Sequence, residues 1–194
     1  DASRRLGFVS SSKQTLGFGT QMVDLNNDGW LDLVILNGHV DNLESKGYPY
    51  QMRGEILLSE QGKSFTALDA QQAGGYWQEK TLGRALLRAD INRDGRMDLI
   101  CTHLDRPAAY LENQSPREDR HYVSFSLVGT HSEREAVGAS VTLRCGEERW
   151  RSWVTKGDGY LVSNDARLHL GLGRHRQLDD AEVPRPTGPR HPFP

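Results

Sequence analysis

Short apolar alternations broken by Asp-, Gly- and Pro-containing turns run along most of the chain, which is the pattern of strands rather than helices. MVDL and LLRAD lead into two Asp-rich loops, and LDLVIL and MDLIC lead out of them; all four are rich in aliphatic and β-branched residues. Further strands are predicted over 54–60, 63–69 and 107–113, with 38–53, which carries Gly47 and Pro49, as a long surface loop. From about Arg120 the pattern changes. HYVSFSLVG places Val123, Phe125 and Leu127 on one face, and ASVTLRC, RWRSWVTKG and ARLHLGLG follow as short strands between Gly-containing turns. The last stretch, VPRPTGPRHPFP, holds five of the eight prolines and is excluded as a regular central strand. The organisation expected is a first all-β domain over 1–119 and a second over 120–194.

An internal repeat organises the first domain. LGFGTQMVDLNNDGWLDLVIL, from Leu16 to Leu36, aligns without gaps on LGRALLRADINRDGRMDLICT, from Leu82 to Thr102. Both copies contain D-x-N-x-D-G-x-x-D-L followed by apolar residues. Repeats of this length point to propellers, solenoids or other arrays. Each copy reads as strand, Asp-rich loop, strand, with Gly29 and Gly95 available for positive φ in the turn.

Alternate residues of such a loop can point oxygen at one centre, as a hard cation requires. In the first loop Asp24, Asn26, Asp28 and Asp32 supply side-chain oxygens and Trp30 a carbonyl. In the second the set is Asp90, Asn92, Asp94 and Asp98, with the carbonyl of Arg96. Two Ca²⁺ sites are the expectation; Mg²⁺ prefers a smaller octahedral shell and keeps more of its waters. The alternative is an ordinary Asx-rich turn, which the in-register duplication and the mutual repulsion of three carboxylates disfavour. An EF-hand is disfavoured because position twelve is Ile35 in one copy and Cys101 in the other, inside strand-like runs, where a Glu is needed.

Composition changes the picture little. The 194 residues are 36% hydrophobic and 26% charged with formal net charge −2, as in a folded globular protein. The six loop aspartates account for the acidity, and no basic stripe of the kind that binds nucleic acid is present. No apolar run reaches the ~18–20 residues of a transmembrane helix. Cys101 and Cys145 fall on apolar strand faces and read as buried hydrophobes, with a single bridge between them as the alternative. His39, in NGHV, reads as a structural hydrogen-bonding group. Tyr48, Tyr50, Tyr76 and Trp77 read as packing residues, with sugar stacking as the alternative. There is no G-x-S-x-G, H-E-x-x-H, C-x-x-C or P-loop. Glu55, Glu60 and Glu79 have no spacing that supports a glycosidase pair. Asn113-Gln114-Ser115 is formally a sequon, followed by Pro116.

The repeats resemble FG-GAP/VCBS repeats of integrin-type β-propellers. GWLDLVILNGHV (29–40) and GEILLSEQGKSFTALDAQQAG (54–74) are similar to the blade pattern of the ASPIC/UnbV, or cartilage acidic protein, family. VGTHSEREAVGASVTLRCG (128–146) and KGDGYLVSNDARLHLGLG (156–173) are similar to the C-terminal domain of that family. The resemblance implies calcium at the eight side-chain positions above, and an extracellular, cell-surface or periplasmic protein of bacterial or animal origin. It also implies use in adhesion or in binding a protein or glycan, and no common enzymatic activity. Two repeats are too few to close a propeller, so self-association or pairing with remaining blades is expected. Near the end the sequence departs from the family: Pro184 interrupts the strand and Arg185 stands where Trp is usual. The expectation is an all-β protein of two β-propeller blades plus a small β domain, serving as a calcium-stabilised binding module. A lectin-like sugar binder is a variant of it, and a propeller serving as scaffold or accessory of an enzyme or biosynthetic pathway is the alternative.

Overall fold

The computed structural model describes residues 3–8, 13–116, 119–130, 133–184 and 191–192. Contacts divide the chain into two units. The first comprises Asp1–Leu25, Trp30–Gln114 and Gly157–Asn164; the second comprises Asn26–Gly29, Ser115–Lys156 and Asp165–Pro194. Each is therefore discontinuous in sequence. Both are built from antiparallel strands, and the described residues are all-β apart from short single turns of helix.

In the first unit β1 (Gly17–Val23), β2 (Asp32–Asn37), β3 (Glu55–Ser59) and β4 (Phe65–Ala67) form one antiparallel sheet in that order. Two four-residue helices, α1 (Ala70–Ala73) and α2 (Gly75–Gln78), lead to a second sheet of β5 (Gly83–Ala89), β6 (Asp98–His103) and β7 (Ala109–Leu111). The strands expected over 54–60, 63–69 and 107–113 are thus present. The segment expected as a surface loop holds only a 3-10 turn, Glu44–Lys46.

The sequence repeat persists in the register of the ladders. Thr20 pairs with Ile35 and Val23 with Asp32; Leu86 pairs with Cys101 and Ala89 with Asp98. Even the irregularity repeats, between Gly17 and Thr20 in one ladder and between Gly83 and Leu86 in the other. At this bulge β1 lies close against β5. A Cβ on Gly19 would stand 2.5 Å from the Arg84 carbonyl oxygen, so no larger residue fits without moving backbone. Val23, Val34, Leu36, Trp77, Leu86, Leu99 and Cys101 form the core between the sheets.

Residues 157–164 join this unit through a buried polar network. Asn164 Nδ2 donates to Gln21 Oε1 (3.1 Å) and Asp158 Oδ1 (2.6 Å), and Asn164 Oδ1 accepts the Arg88 N–H (2.9 Å). Arg88 Nε donates to Gln21 Oε1 (3.2 Å) and its Nη2 pairs with Asp158 Oδ2 (3.0 Å). Gln21 Nε2 donates to the Leu86 carbonyl (2.8 Å). Gln21 and Asn164 are both buried, so each bond matters more than its solvent-exposed equivalent.

The second unit pairs β8 (His121–Phe125) with β11 (Leu168–Gly173). A four-stranded sheet runs β10 (Glu148–Trp153), β9 (Ser140–Cys145), β12 (Asp180–Val183) and β13 (His191–Pro192). Its core is Val141, Leu143, Cys145, Val154, Leu168, Leu170 and Leu172. β12 was not foreseen. Its sequence, DAEV, has little apolar signal, yet Ala181 pairs with Leu143 of β9. It ends at Val183, immediately before Pro184, and His191–Pro192, in the Pro-containing tail, form the outer strand β13; Arg185 lies outside the described residues.

Both cysteines are free and buried, as their places on apolar faces imply. Burial pushes the Cys101 thiol up to about 11, and it also raises Cys145, so both are protonated at neutral pH. At pH 8 neither should react with an aromatic disulfide reagent until the chain is denatured, when two thiols per chain should appear. Fast labelling of the native chain would show that these strands open readily. Asn164→Ala should destabilise the first unit by about 2–3 kcal/mol in denaturant unfolding. A loss under about 0.5 kcal/mol would mean that water replaces the network.

Candidate metal centre

Both Asp-rich loops connect the first two strands of a sheet, and their backbones take the same form. Asn27 and Gly29 have φ of 58° and 89°; Arg93 and Gly95, at the equivalent places, have 59° and 84°. Glycine is suited to the second of these positions because a left-handed backbone costs it nothing. In each loop the third-position asparagine accepts the N–H of the fifth-position aspartate through Oδ1: Asn26 from Asp28 at 3.0 Å, and Asn92 from Asp94 at 3.0 Å. These are Asx turns that tighten the loop around its own side chains.

The ninth-position aspartates are the most buried of the set, and Asp32 and Asp98 are each 0% exposed. Asp32 Oδ2 accepts the Leu25 N–H (3.1 Å) and Oδ1 the Ser59 N–H (2.8 Å). Asp98 Oδ2 accepts the Ile91 N–H (3.1 Å) and Oδ1 the Asn113 N–H (2.8 Å). Each carboxylate thus ties the start of its loop to the third strand's last residue, Ser59, or to Asn113, two residues past β7. Tyr110 adds a hydroxyl donor to Asp98 Oδ2 at 3.1 Å. Asn113, the sequon asparagine, also donates its side-chain amide to the carbonyls of Leu25 (2.8 Å) and Met97 (3.1 Å).

The remaining candidates are held differently in the two copies. Asp90 accepts the Asp94 N–H through Oδ1 (3.0 Å) and the Gly95 N–H through Oδ2 (3.1 Å). Asp94 accepts the Arg96 N–H through Oδ1 (2.9 Å), and its Oδ2 accepts from Arg96 Nε (3.0 Å) and Nη2. The Arg96 side chain beside it holds the Asp94 carboxyl below the usual range. In the first copy Asp24 is buried and Trp30 is exposed, with the Trp30 ring against Gly62. The loop tip Asn26–Gly29 belongs to the second unit. There Arg120 Nη1 donates to the Asn26 carbonyl (3.1 Å) and stands 3.9 Å from Asp28.

Among the described residues, no three His, Cys, Asp or Glu side chains are grouped as a ready metal cage; backbone N–H groups engage Asp32, Asp90, Asp94 and Asp98, and Arg96 engages Asp94 as well. The donor chemistry nonetheless fits a hard cation: each loop carries three carboxylates, one amide oxygen and no nitrogen or sulfur ligand. A carboxylate oxygen that accepts one N–H keeps a second lone pair for a metal. The two-ended hold on Asp32 and Asp98 was not legible in the sequence, because the partners Ser59 and Asn113 donate through backbone N–H groups that any non-proline residue possesses.

The other candidates have structural surroundings. His39 Nδ1 accepts the Asp41 N–H (3.1 Å). Trp77 is in the core. The Tyr76 hydroxyl bonds His103 Nε2 (2.7 Å), and burial drives its phenol well above the ordinary value. Tyr48 is exposed.

Residues 24–101, which contain both loops, match the FG-GAP-like repeat, and residues 129–191 match the ASPIC and UnbV domain. No curated protein matches the chain. FG-GAP repeats are typical of extracellular or secreted proteins, and among the described residues no helix is long and apolar enough to cross a membrane. The duplicated loop, its repeated strand register and the separate C-terminal β unit thus belong to a chain that carries an FG-GAP-like repeat followed by an ASPIC and UnbV domain.

Proposed function

We propose that the chain is an extracellular, calcium-binding module for adhesion or for binding a protein or glycan, without catalytic activity of its own. The observation that carries this reading is the duplication of one oxygen-rich loop with the same backbone, the same Asx turn and the same buried aspartate. Calcium, when bound, would neutralise the carboxylates at the tip, and the protein's part is to hold the loop in shape before the ion arrives. Asp24, Asn26, Asp28 and Asp32 would serve one ion, and Asp90, Asn92, Asp94 and Asp98 the other, each with a carbonyl from Trp30 or Arg96. The surroundings of His39, Tyr76 and Trp77 support the non-enzymatic reading, since each is engaged in packing or hydrogen bonding.

Extracellular calcium modules bind with Kd of about 10⁻⁴–10⁻³ M. With about 1 mM free calcium and a Kd near 0.1 mM, each site stabilises the folded chain by about 1.4 kcal/mol, or roughly 3–6 °C in melting temperature for a chain of this size. Chain stripped with EDTA should therefore melt higher in calcium than in magnesium or in neither. The rise should vanish in an Asp28→Ala plus Asp94→Ala variant. These positions are chosen because Asp32 and Asp98 hold backbone N–H groups, and replacing them would unfold the loop whether or not it binds metal. A folded sample with no calcium-selective shift would make the loops ordinary turns and remove this reading.

Binding to a partner is supported by the edges of the first unit. The three-residue β7 is the outer strand of its sheet, and Tyr110 on it is 48% exposed. Such an edge is a template for pairing with another chain. Light scattering at micromolar concentration should show self-association. A monodisperse monomer would refer the edge to a different protein or to a glycan, which a glycan array would separate.

A further inference from the structure

The two loops agree in fold but differ at the seventh position, where one carries Trp30 and the other Arg96. That difference reaches the fifth-position carboxylate, an intended ligand in both. Arg96 lies two residues from Asp94 along the same turn and grips it three times: through its N–H at Oδ1, and through Nε and Nη2 at Oδ2. Neither side chain is well exposed, at 17% for Asp94 and 19% for Arg96. The pair is therefore shielded more than an ordinary surface ion pair, whose net worth is close to nothing.

We propose that Arg96 is a built-in competitor for the cation of the second loop, holding Asp94 until a divalent cation displaces it. This rests on the reading that both loops bind calcium. A metal entering the second loop must draw Asp94 away from the guanidinium, and the freed Arg96 then lies beside a bound dication that repels it. The same guanidinium that weakens binding also compensates the Asp94 charge, so the second loop keeps its shape at calcium concentrations where the metal is absent from it.

The test uses the full chain and calcium alone, followed by calorimetric titration and by melting temperature. Asp94→Ala leaves the first loop to be measured, and Asp28→Ala leaves the second. In the Asp28→Ala background, Arg96→Met should raise calcium affinity about five-fold, the effect of removing a partly shielded ion pair. It should also lower the melting temperature without metal while enlarging the rise that calcium gives. A merely structural role for Arg96 would lower both melting temperatures together. Arg96→Lys, which keeps the charge but not the planar fork, should show a smaller gain and serves if the Met variant fails to fold. No gain in either Arg96 variant would overturn the proposal while leaving calcium binding intact. No calcium binding at either loop would overturn both.

Discussion

The first unit depends on a carboxylate with no exposure to water that accepts two backbone N–H groups from opposite directions. Asp32 and Asp98 each take one donor from the second residue of the loop and one from the end of the third strand or just beyond it. A buried charge with unpaired lone pairs would be strongly destabilising, so the two bonds are obligatory, and satisfying them leaves only one arrangement of three strands around the loop. Two charge-assisted bonds to each carboxylate therefore fix loop conformation and sheet register together. The glycine and asparagine of the loop shape the turn inside that frame.

Register, bulge and loop repeat in step because they share this anchor. Where β1 and β5 meet, the bulge brings backbone against backbone at Gly19. The polar network of Gln21, Arg88, Asp158 and Asn164 then fastens residues 157–164 to the same two strands. That segment lies far along the chain from the repeat, within the KGDGYLVSN motif, and its Asn and Asp side chains are needed for those bonds.

Much of this was legible in the sequence because the relevant signals are local. Strand alternation located β1 to β7, and the offset of the D-x-N-x-D-G-x-x-D motif revealed the duplication before any pairing was known. What was hidden is non-local or carried by backbone. Ser59 and Asn113 meet their aspartates through main-chain N–H groups, so side-chain identity says nothing of the contact. β12 escaped notice because DAEV becomes a strand only through pairing with β9, a case of tertiary context overriding weak propensity. The pairing of Arg96 with Asp94 was equally silent. The motif names Arg96 for its carbonyl, and only the folded turn brings its side chain back onto a ligand.

The third strands also repeat, though with a different offset from the first two. Leu33 pairs with Leu57 in one sheet and Leu99 with Leu111 in the other, so β3 and β7 are equivalent despite connections of unequal length. Residues 38–54 make the first connection and residues 104–108 the second. Twelve residues can thus come or go between the second and third strands while the strand still docks at the same carboxylate. The connection is a variable length in an otherwise fixed scaffold, and insertions there leave the strand pairing beneath it unchanged.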